Sequence, residues 1–554
     1  MNRNRIDWPF VEIRMAEGFA AGLNDETRVR KYPDFGALCT LITCAFGNRD
    51  MDMSNSTMLL MREQAYVGGR WIDAEDNARK AVDDPGTGEI IGHVPDLNAA
   101  YVDGAIDTAH HAFTSWRETS VLERADRLMA WYDGMNEHAE ELARLMTWEQ
   151  GKPIGEARGE VAYAASFLRW FAEEGRRSTG ATIPPENPDV AIGTIREPVG
   201  VAAIITPWNF PLAMITRKAA AALAAGCTTL VKPANQTPYC ALALAVLAER
   251  AGLNKGEFNV VTAAGKLFSE RVCADTRVRA LSFTGSTAVG RQLLRQSADT
   301  VKCTAMELGG NAPFIVCDDV DIDTAVDGAI AAKFQTSGQD CVAANRIYVH
   351  RSIYDDFVSR FAERMNAMSV GNGFDENNEI GPLINEDAVE KAQSLVDDAR
   401  EHGARIIGRE QGNAPGPRFF MPTIVADFTP DMRVSSEEAF APVASICAFD
   451  DDDEVIAAAN DTIYGLASYV YTHTDARIRK FLRGLEYGMV GVNTMDITGP
   501  HVPFGGIKQS GLGREGAHVG MDEYLETKYY CIGGLTTAWV DASPTLQNRR
   551  RTWK

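Results

Sequence analysis

Val199-Gly200-Val201-Ala202-Ala203-Ile204-Ile205, the Ala-rich run from Ala219 to Ala225, Thr228-Thr229-Leu230-Val231 and a second Ala-rich run from Ala241 to Ala251 follow one another near the middle of the chain. The two short β-branched runs read as strands, and the Ala-rich runs after each of them as helices. Strands that alternate with helices build a parallel sheet with helical crossovers, since parallel neighbours cannot be joined by a tight hairpin. The expected fold class is therefore α/β.

Upstream, from about residue 100 to 180, the pattern is helical: Ala100-Tyr101-Val102-Asp103-Gly104-Ala105-Ile106-Asp107-Thr108-Ala109 and Ala139-Glu140-Glu141-Leu142-Ala143-Arg144-Leu145-Met146 place apolar residues at three- and four-residue spacing. Downstream, Ala312-Pro313-Phe314-Ile315-Val316 opens a second α/β stretch that continues through Arg346-Ile347-Tyr348-Val349 to about residue 520. The expectation is two open, Rossmann-like α/β domains. Tyr524-Leu525-Glu526-Thr527-Lys528-Tyr529-Tyr530-Cys531-Ile532 reads as a strand outside either rhythm, of the kind that augments a neighbouring sheet. Residues 1–57 show no sustained period and read as an extension, either disordered or the product of an over-long start-codon choice.

A chain of 554 residues with 45% apolar content buries a substantial core, and its formal charge of -21 argues against nucleic acid or an anionic membrane as a partner. The ten cysteines are scattered without CxxC pairs or His-rich spacing, so neither a metal site nor a secreted disulfide framework is expected. The apolar run from Gly36 to Gly47 is too short to span a bilayer and lacks a signal-peptide pattern, so a cytoplasmic location fits the composition.

Candidate chemistry centres on Cys341, in Ser337-Gly338-Gln339-Asp340-Cys341, and on Glu307, in Glu307-Leu308-Gly309-Gly310. A free thiol is mostly protonated at neutral pH, so a nucleophilic cysteine needs a base such as Glu307; a lone cysteine is more often inert packing. The polar residues before Cys341 favour an exposed loop. Pro207-Trp208-Asn209-Phe210-Pro211 follows a strand at a strand-to-helix turn, where Asn209 is placed to donate to an oxyanion, although a proline-bounded turn reads the same way. Ser282-Phe283-Thr284-Gly285-Ser286-Thr287-Ala288-Val289-Gly290 is a strand end entering a helix start, able to offer N–H groups to a pyrophosphate. Gly511-Leu512-Gly513-Arg514-Glu515-Gly516 has the GxGxxG form but follows a polar turn rather than a strand, and is expected to be a loop.

Together with Lys232-Pro233-Ala234, Glu438-Ala439-Phe440 and Pro503-Phe504-Gly505-Gly506, these segments resemble, in order and spacing from about residue 60 to 536, the aldehyde dehydrogenase superfamily. The resemblance implies a cofactor domain (58–183 and 200–310), a catalytic domain (311–523), oligomerisation strands (184–199 and 524–540) that join subunits into a homodimer or homotetramer, and a tail over 541–554. It implies Cys341 as nucleophile, Glu307 as general base, and Asn209 with the Cys341 N–H as oxyanion hole. For NAD or NADP it implies Lys232 and Asn235 at the adenosine ribose, Gly285, Ser286 and Gly290 with Trp208 at the pyrophosphate, and Glu438 with Phe440 at the nicotinamide ribose. Lys218 and Glu515 fall near the family's proton-relay positions, and no metal is required.

Within the superfamily the chain looks most like the succinate-semialdehyde dehydrogenase branch, through Asn345-Arg346, Lys508-Gln509-Ser510 and Tyr524-Leu525-Glu526. Arg217 matches an arginine that binds the substrate carboxylate there, with Phe504 beside the substrate. Gln335 stands where that branch has a second arginine, and Ile497-Thr498-Gly499-Pro500 where it has a serine, so the resemblance implies oxidation of a semialdehyde such as succinate semialdehyde or a larger relative to the acid, with a long-chain or aromatic aldehyde the alternative. Coenzyme A-acylating transfer and a non-catalytic role are the alternatives of another class; the presence of both Cys341 and Glu307 argues against them. Ala343 replaces a second cysteine used by some relatives as a redox switch. Asn235 stands where NAD-preferring relatives carry Glu. A carboxylate there would repel a 2′-phosphate by about 4 kcal/mol per charge pair at about 4 Å and an effective dielectric near 20, and neutral Asn235 removes that barrier, so NADP is expected to be accepted.

Overall fold

The computed structural model describes residues 59–534 apart from Pro188. The expected extension 1–57, the tail 541–554 and the part of the last segment beyond residue 534 lie outside the described residues.

Val201–Ile205 and Thr228–Lys232, the two runs that decide the fold, are adjacent parallel strands in register from Val201↔Thr228 to Ile205↔Lys232. They belong to an eight-stranded sheet in the order Gly511–Leu512, Cys303–Glu307, Val278–Thr284, Val201–Ile205, Thr228–Lys232, Phe258–Val260, Ala65–Val67, Arg70–Ile72. The chain moves outward from Val201–Ile205 in one direction and returns on its other side with Val278–Thr284. That reversal opens a crevice beyond the C-terminal ends of the two strands, which is where open α/β sheets place ligands. The sequence from Pro207 to Asn209 follows one strand and Gly285-Ser286 follows the other.

The crossover helix Ala213–Ala225 is buried along its whole length. A helix with no solvent face must be apolar nearly all round, and small alanines let its neighbours approach closely; Arg217 and Lys218 are its only charges. It ends at Gly226, whose φ of 102° is the left-handed conformation that closes a helix at low cost when no Cβ is present. Against it packs Ile154–Glu174, the last of four helices that fill the predicted helical region.

From Glu307, at the C-terminal end of its strand, Leu308–Asn311 carries the chain directly into Ala312–Val316 of a second sheet. That sheet has seven strands in the order Arg405–Gly408, Thr423–Ala426, Val443–Phe449, Ala344–His350, Ala312–Val316, Ala467–Tyr471, Met489–Val492. Leu525–Gly533 pairs antiparallel with Val190–Pro198 from Leu525↔Pro198 to Gly533↔Val190, and Thr182–Ile183 adds a third strand. This sheet leaves Ile183, Ile195, Tyr529, Tyr530 and Ile532 exposed.

Two local expectations need correction. Gly511–Leu512, expected to be loop, forms a short edge strand against Met306 and Glu307; Gly511, with φ of 152°, allows the close approach, since a Cβ there would lie 2.1 Å from the Met306 carbonyl oxygen. Thr182–Ile183 joins the three-stranded sheet although its residues precede the segment 184–199 expected to supply it.

One buried ion pair ties these elements together. Glu160 and Lys152 are 4% and 2% exposed and bond to each other, and the other Glu160 oxygen accepts from the Leu212 and Ala213 N–H groups at 3.0 and 3.2 Å, capping the buried helix. Removing one partner of such a pair leaves an uncompensated buried charge. Glu160→Ala is expected to destabilise the protein by about 3–5 kcal/mol in urea unfolding; a loss below about 1 kcal/mol would show that the pair does not hold these elements.

Candidate active site

Cys341 ends a loop that runs against its own backbone preference. Thr336, Ser337 and Gly338 all have positive φ, 51°, 57° and 74°, and each such non-glycine residue costs about 1–3 kcal/mol. Local bonds offset this. Ser337 Oγ donates to the Gly381 carbonyl at 3.1 Å and accepts from the Gly381 N–H at 2.9 Å, while Gln339 Oε1 accepts from Ile384 N–H at 3.0 Å and Gln339 Nε2 donates to the Pro382 carbonyl at 3.3 Å. Asp340 Oδ1 accepts from Val342 N–H at 3.1 Å. The expected exposure of this polar stretch is therefore overturned: Ser337, Gln339 and Asp340 are buried because each satisfies backbone groups, and Cys341 is half-buried. Burial, followed by the Asp340 charge, pushes the Cys341 thiol well above its usual value, against the opposing pull of Arg217.

Asn209 is fixed from both ends. Its carbonyl accepts from Lys152 Nζ at 2.9 Å, and its Nδ2 donates to the Gln339 carbonyl at 3.0 Å. The Lys152–Glu160 pair thus positions both the turn after Val201–Ile205 and the cysteine loop. One Asn209 amide hydrogen is engaged in this bond, which leaves the second as a donor.

Glu307 is 3% exposed, and neither of its carboxylate oxygens has a hydrogen-bond partner among the described residues. One oxygen fills the space a Cβ at Gly505 would take, 2.6 Å away, which gives the Pro503-Phe504-Gly505-Gly506 turn a steric reason for its glycine. Burial first, then the neighbouring Glu515 charge, hold the Glu307 carboxyl well above the usual range. Glu515 has the opposite fate: burial raises it, but its ion pairs with Arg217 and Lys218 outweigh burial and hold it low. The two cations come from successive residues of the buried helix, and Glu515 is held by a reciprocal backbone pair with Phe504 at 2.7 and 2.8 Å.

Two cavities meet at the thiol, and Cys341 and Met214 line both. The first, about 300 Å3, runs from Gly285 and Ser286 past Trp208 and Asn209 to Glu438 and Phe440. Ser286 caps the helix Thr287–Ala298, and Gly290, on its first turn, lies so close to Leu308 that a Cβ there would be 2.4 Å from Leu308 Cδ2. Trp208 and Phe440 meet edge to face with centroids 5.5 Å apart. Glu438 Oε1 accepts from the Gly310 N–H at 3.2 Å, and burial pushes its carboxyl up to about 7; a Cβ at Gly309 would stand 3.0 Å from its other oxygen. Lys232 Nζ bonds Asn235 Oδ1 at 3.0 Å, and burial, then Lys80, push the ammonium down to about 8. A cleft of helix N–H groups, one carboxylate and two aromatic rings, with room made by glycines, suits an extended dinucleotide.

The second cavity, about 360 Å3, is lined by Arg217, Gln335 and Phe504, which the resemblance assigns to the substrate, and also by Glu156, Tyr163 and Thr498. The Arg217 guanidinium lies 4.1 Å from the Phe504 ring centroid, is 1% exposed, and has no hydrogen-bond acceptor for its Nη1 among the described residues. Glu156, Glu160 and Tyr163 belong to none of the sequence motifs. Their spacing of four and then three residues, continuing to Phe167, puts them on one face of Ile154–Glu174 and was the available signal.

The sequence profile of the aldehyde dehydrogenase family matches residues 71–530. A non-phosphorylating aspartate-semialdehyde dehydrogenase of Halomonas elongata is 60% identical over 487 residues, covering 88% of this chain and 99% of that protein. The NADP+ succinate-semialdehyde dehydrogenase of Escherichia coli is 50% identical, covering 86% of this chain and 98% of its own length. A crystal structure of an NADP-dependent enzyme from Escherichia coli superposes with a TM-score of 0.85 at 50% identity, covering 86% of this chain and 98% of that one.

Beneath the cysteine loop, Lys333 is fully buried, donates to Asn345 Oδ1 at 2.8 Å, and is pushed by burial down to about 7. Between about pH 7 and the unfolded lysine value near 10.4, the unfolded chain holds this proton and the folded chain does not, so the term stabilises the fold progressively as pH rises. Wild type is therefore expected to gain stability relative to Lys333→Met between about pH 7 and pH 10. A pH-independent difference between their urea midpoints would contradict this.

Proposed function

The chain belongs to the aldehyde dehydrogenase family, and on that premise we propose that it oxidises a short semialdehyde to the corresponding dicarboxylic acid, with NADP an accepted cofactor. The observation that carries this reading is the placement of one thiol in the wall shared by two cavities, one suited to a dinucleotide and the other holding a buried arginine with an unpaired N–H. The relatives act, by their names, on aspartate semialdehyde and succinate semialdehyde. Both are four-carbon aldehydes with a terminal carboxylate, the group that Arg217 is suited to hold.

The cofactor fits the cavity between Ser286 and Glu438. Lys232 and Asn235 would hold the adenosine ribose, Gly285, Ser286, Gly290 and Trp208 the pyrophosphate, and Glu438 and Phe440 the nicotinamide ribose. When bound, the nicotinamide supplies the acceptor for the hydrogen and electron pair that leave the aldehyde carbon.

The remaining steps belong to side chains. Cys341 gives its proton to Glu307, and its sulfur bonds to the aldehyde carbon, turning the carbonyl oxygen into an alkoxide. The free Asn209 amide hydrogen and the Cys341 N–H are the donors for that charge. After oxidation the carbon remains on sulfur as a thioester. Glu307 takes a proton from water, the water oxygen bonds to the acyl carbon, the C–S bond breaks, and the acid leaves as the thiol is restored. Lys218 and Glu515 stand behind Glu307 as the path for its proton. The three-stranded sheet, with its exposed Ile195, Tyr529 and Ile532, supports assembly of identical subunits.

Because burial raises both Cys341 and Glu307, and each acts in its ionised form, kcat/KM is expected to climb from neutral into alkaline pH. In Glu307→Gln, both the burst of reduced cofactor and the steady turnover are expected to fall sharply in stopped-flow absorbance, since Glu307 serves the thiol and the water in turn; steady turnover at the wild-type rate would remove Glu307 as the base. Asn235→Glu is expected to lower kcat/KM for NADP relative to NAD by at least about a hundredfold, the order set by one charge pair of roughly 4 kcal/mol reduced by solvent. An unchanged ratio would place the 2′-phosphate elsewhere.

A further inference from the structure

A carboxylate presents two oxygens, and the second cavity has one cation to meet them. Lys152 lines it, but Glu160 and the Asn209 carbonyl already occupy its ammonium. Arg217 remains, paired with Glu515 on one side and with no acceptor for Nη1 among the described residues. Gln335, which stands where the resembled branch has its second arginine, is uncharged and exposed, so a bond from it competes with water. The partner for the second oxygen is to be sought on another wall of the cavity.

Tyr163, half-buried on Ile154–Glu174, lines the same cavity as Arg217 and Cys341. Its ring is held edge to face on Phe167 with centroids 4.9 Å apart. The Arg217 guanidinium carbon lies 6.0 Å from the centroid of that same Phe167 ring and 4.1 Å from that of Phe504, so the tyrosine and the arginine share one aromatic wall. The Tyr163 hydroxyl lies against the Arg217 and Thr498 side chains. A guanidinium can only donate, so toward Arg217 the phenol oxygen is the acceptor, and its own O–H is left for Thr498 or for a ligand. Of these a carboxylate, being charged, is the stronger acceptor. Burial pushes the phenol above its usual value, against the pull of Arg217, so Tyr163 keeps this proton at neutral pH. We propose that Tyr163 determines specificity for a carboxylate-bearing aldehyde, its hydroxyl donating to one carboxylate oxygen while Arg217 Nη1 donates to the other, in place of a second arginine at position 335. This inference rests on the reading that Arg217 binds the substrate carboxylate.

Tyr163→Phe tests this, since it removes the hydroxyl and keeps the ring that packs on Phe167. Steady-state kinetics are measured with succinate semialdehyde and with butanal, an uncharged aldehyde of the same chain length. In the variant, KM for succinate semialdehyde is expected to rise about tenfold or more, the order given by one hydrogen bond to a charged group, with kcat nearly unchanged. Both constants for butanal are expected to stay within about twofold of wild type, because that substrate makes no bond to the hydroxyl. An unchanged KM for succinate semialdehyde would overturn the inference, and so would a rise that butanal shares equally, which would make Tyr163 a wall of the cavity and nothing more; either result leaves the Arg217 reading intact. Wild-type kcat/KM for butanal equal to that for succinate semialdehyde would instead overturn the Arg217 reading on which it rests.

Discussion

The Lys152–Glu160 ion pair is the interaction on which the site depends. Glu160 caps the buried helix that bears Arg217 and Lys218, and Lys152 fixes the Asn209 carbonyl. Asn209 in turn fixes Gln339, two residues before the thiol. A strand end, a helix start and a strained loop, distant in sequence, are thereby held in one hydrogen-bonded chain. A buried pair of this kind adds little stability over an apolar substitute, but breaking it is costly. Its contribution here is positional, since Lys152 Nζ binds Glu160 and the Asn209 carbonyl at once.

A second constraint acts through charge. Glu307 and Glu515 share the same two buried cations, yet Glu515 takes both ion pairs and Glu307 takes neither. The two neighbouring carboxylates are thereby shifted in opposite directions. Glu515 anchors the cations and is held low by them, while burial and the Glu515 charge hold Glu307 above the usual carboxylate range. The glycine at 505 leaves room for that carboxylate to stand unpaired.

Much of the fold was legible because β-branched and Ala-rich runs alternate, and burial on both faces leaves no other use for such a pattern. Cys341, Glu307 and Asn209 were legible as motif members, and the structure brings Cys341 and Asn209 to the wall of one cavity, with Glu307 buried next to the Pro503–Gly506 turn. Glu156, Glu160 and Tyr163 were not, because a charged helical face reads as solvated until it is known that another helix and a loop cover it. The stretch Ser337–Asp340 was misread for the same reason: polar side chains suggest water, and here they bond backbone instead. Gly511–Leu512 is too short for any periodic signal, and its strand character comes only from the partner strand beside it.

The central claim is that Cys341 stands between a cofactor cavity and a substrate cavity that approach it from different sides. A crystal structure of Cys341→Ala with NADP and a semialdehyde bound tests this most directly. The nicotinamide is expected between Trp208 and Glu438, and the aldehyde carboxylate at Arg217, with position 341 between the nicotinamide ring and the aldehyde carbon. Cofactor and aldehyde lying in the same cavity, or an aldehyde carbon turned away from position 341, would contradict it.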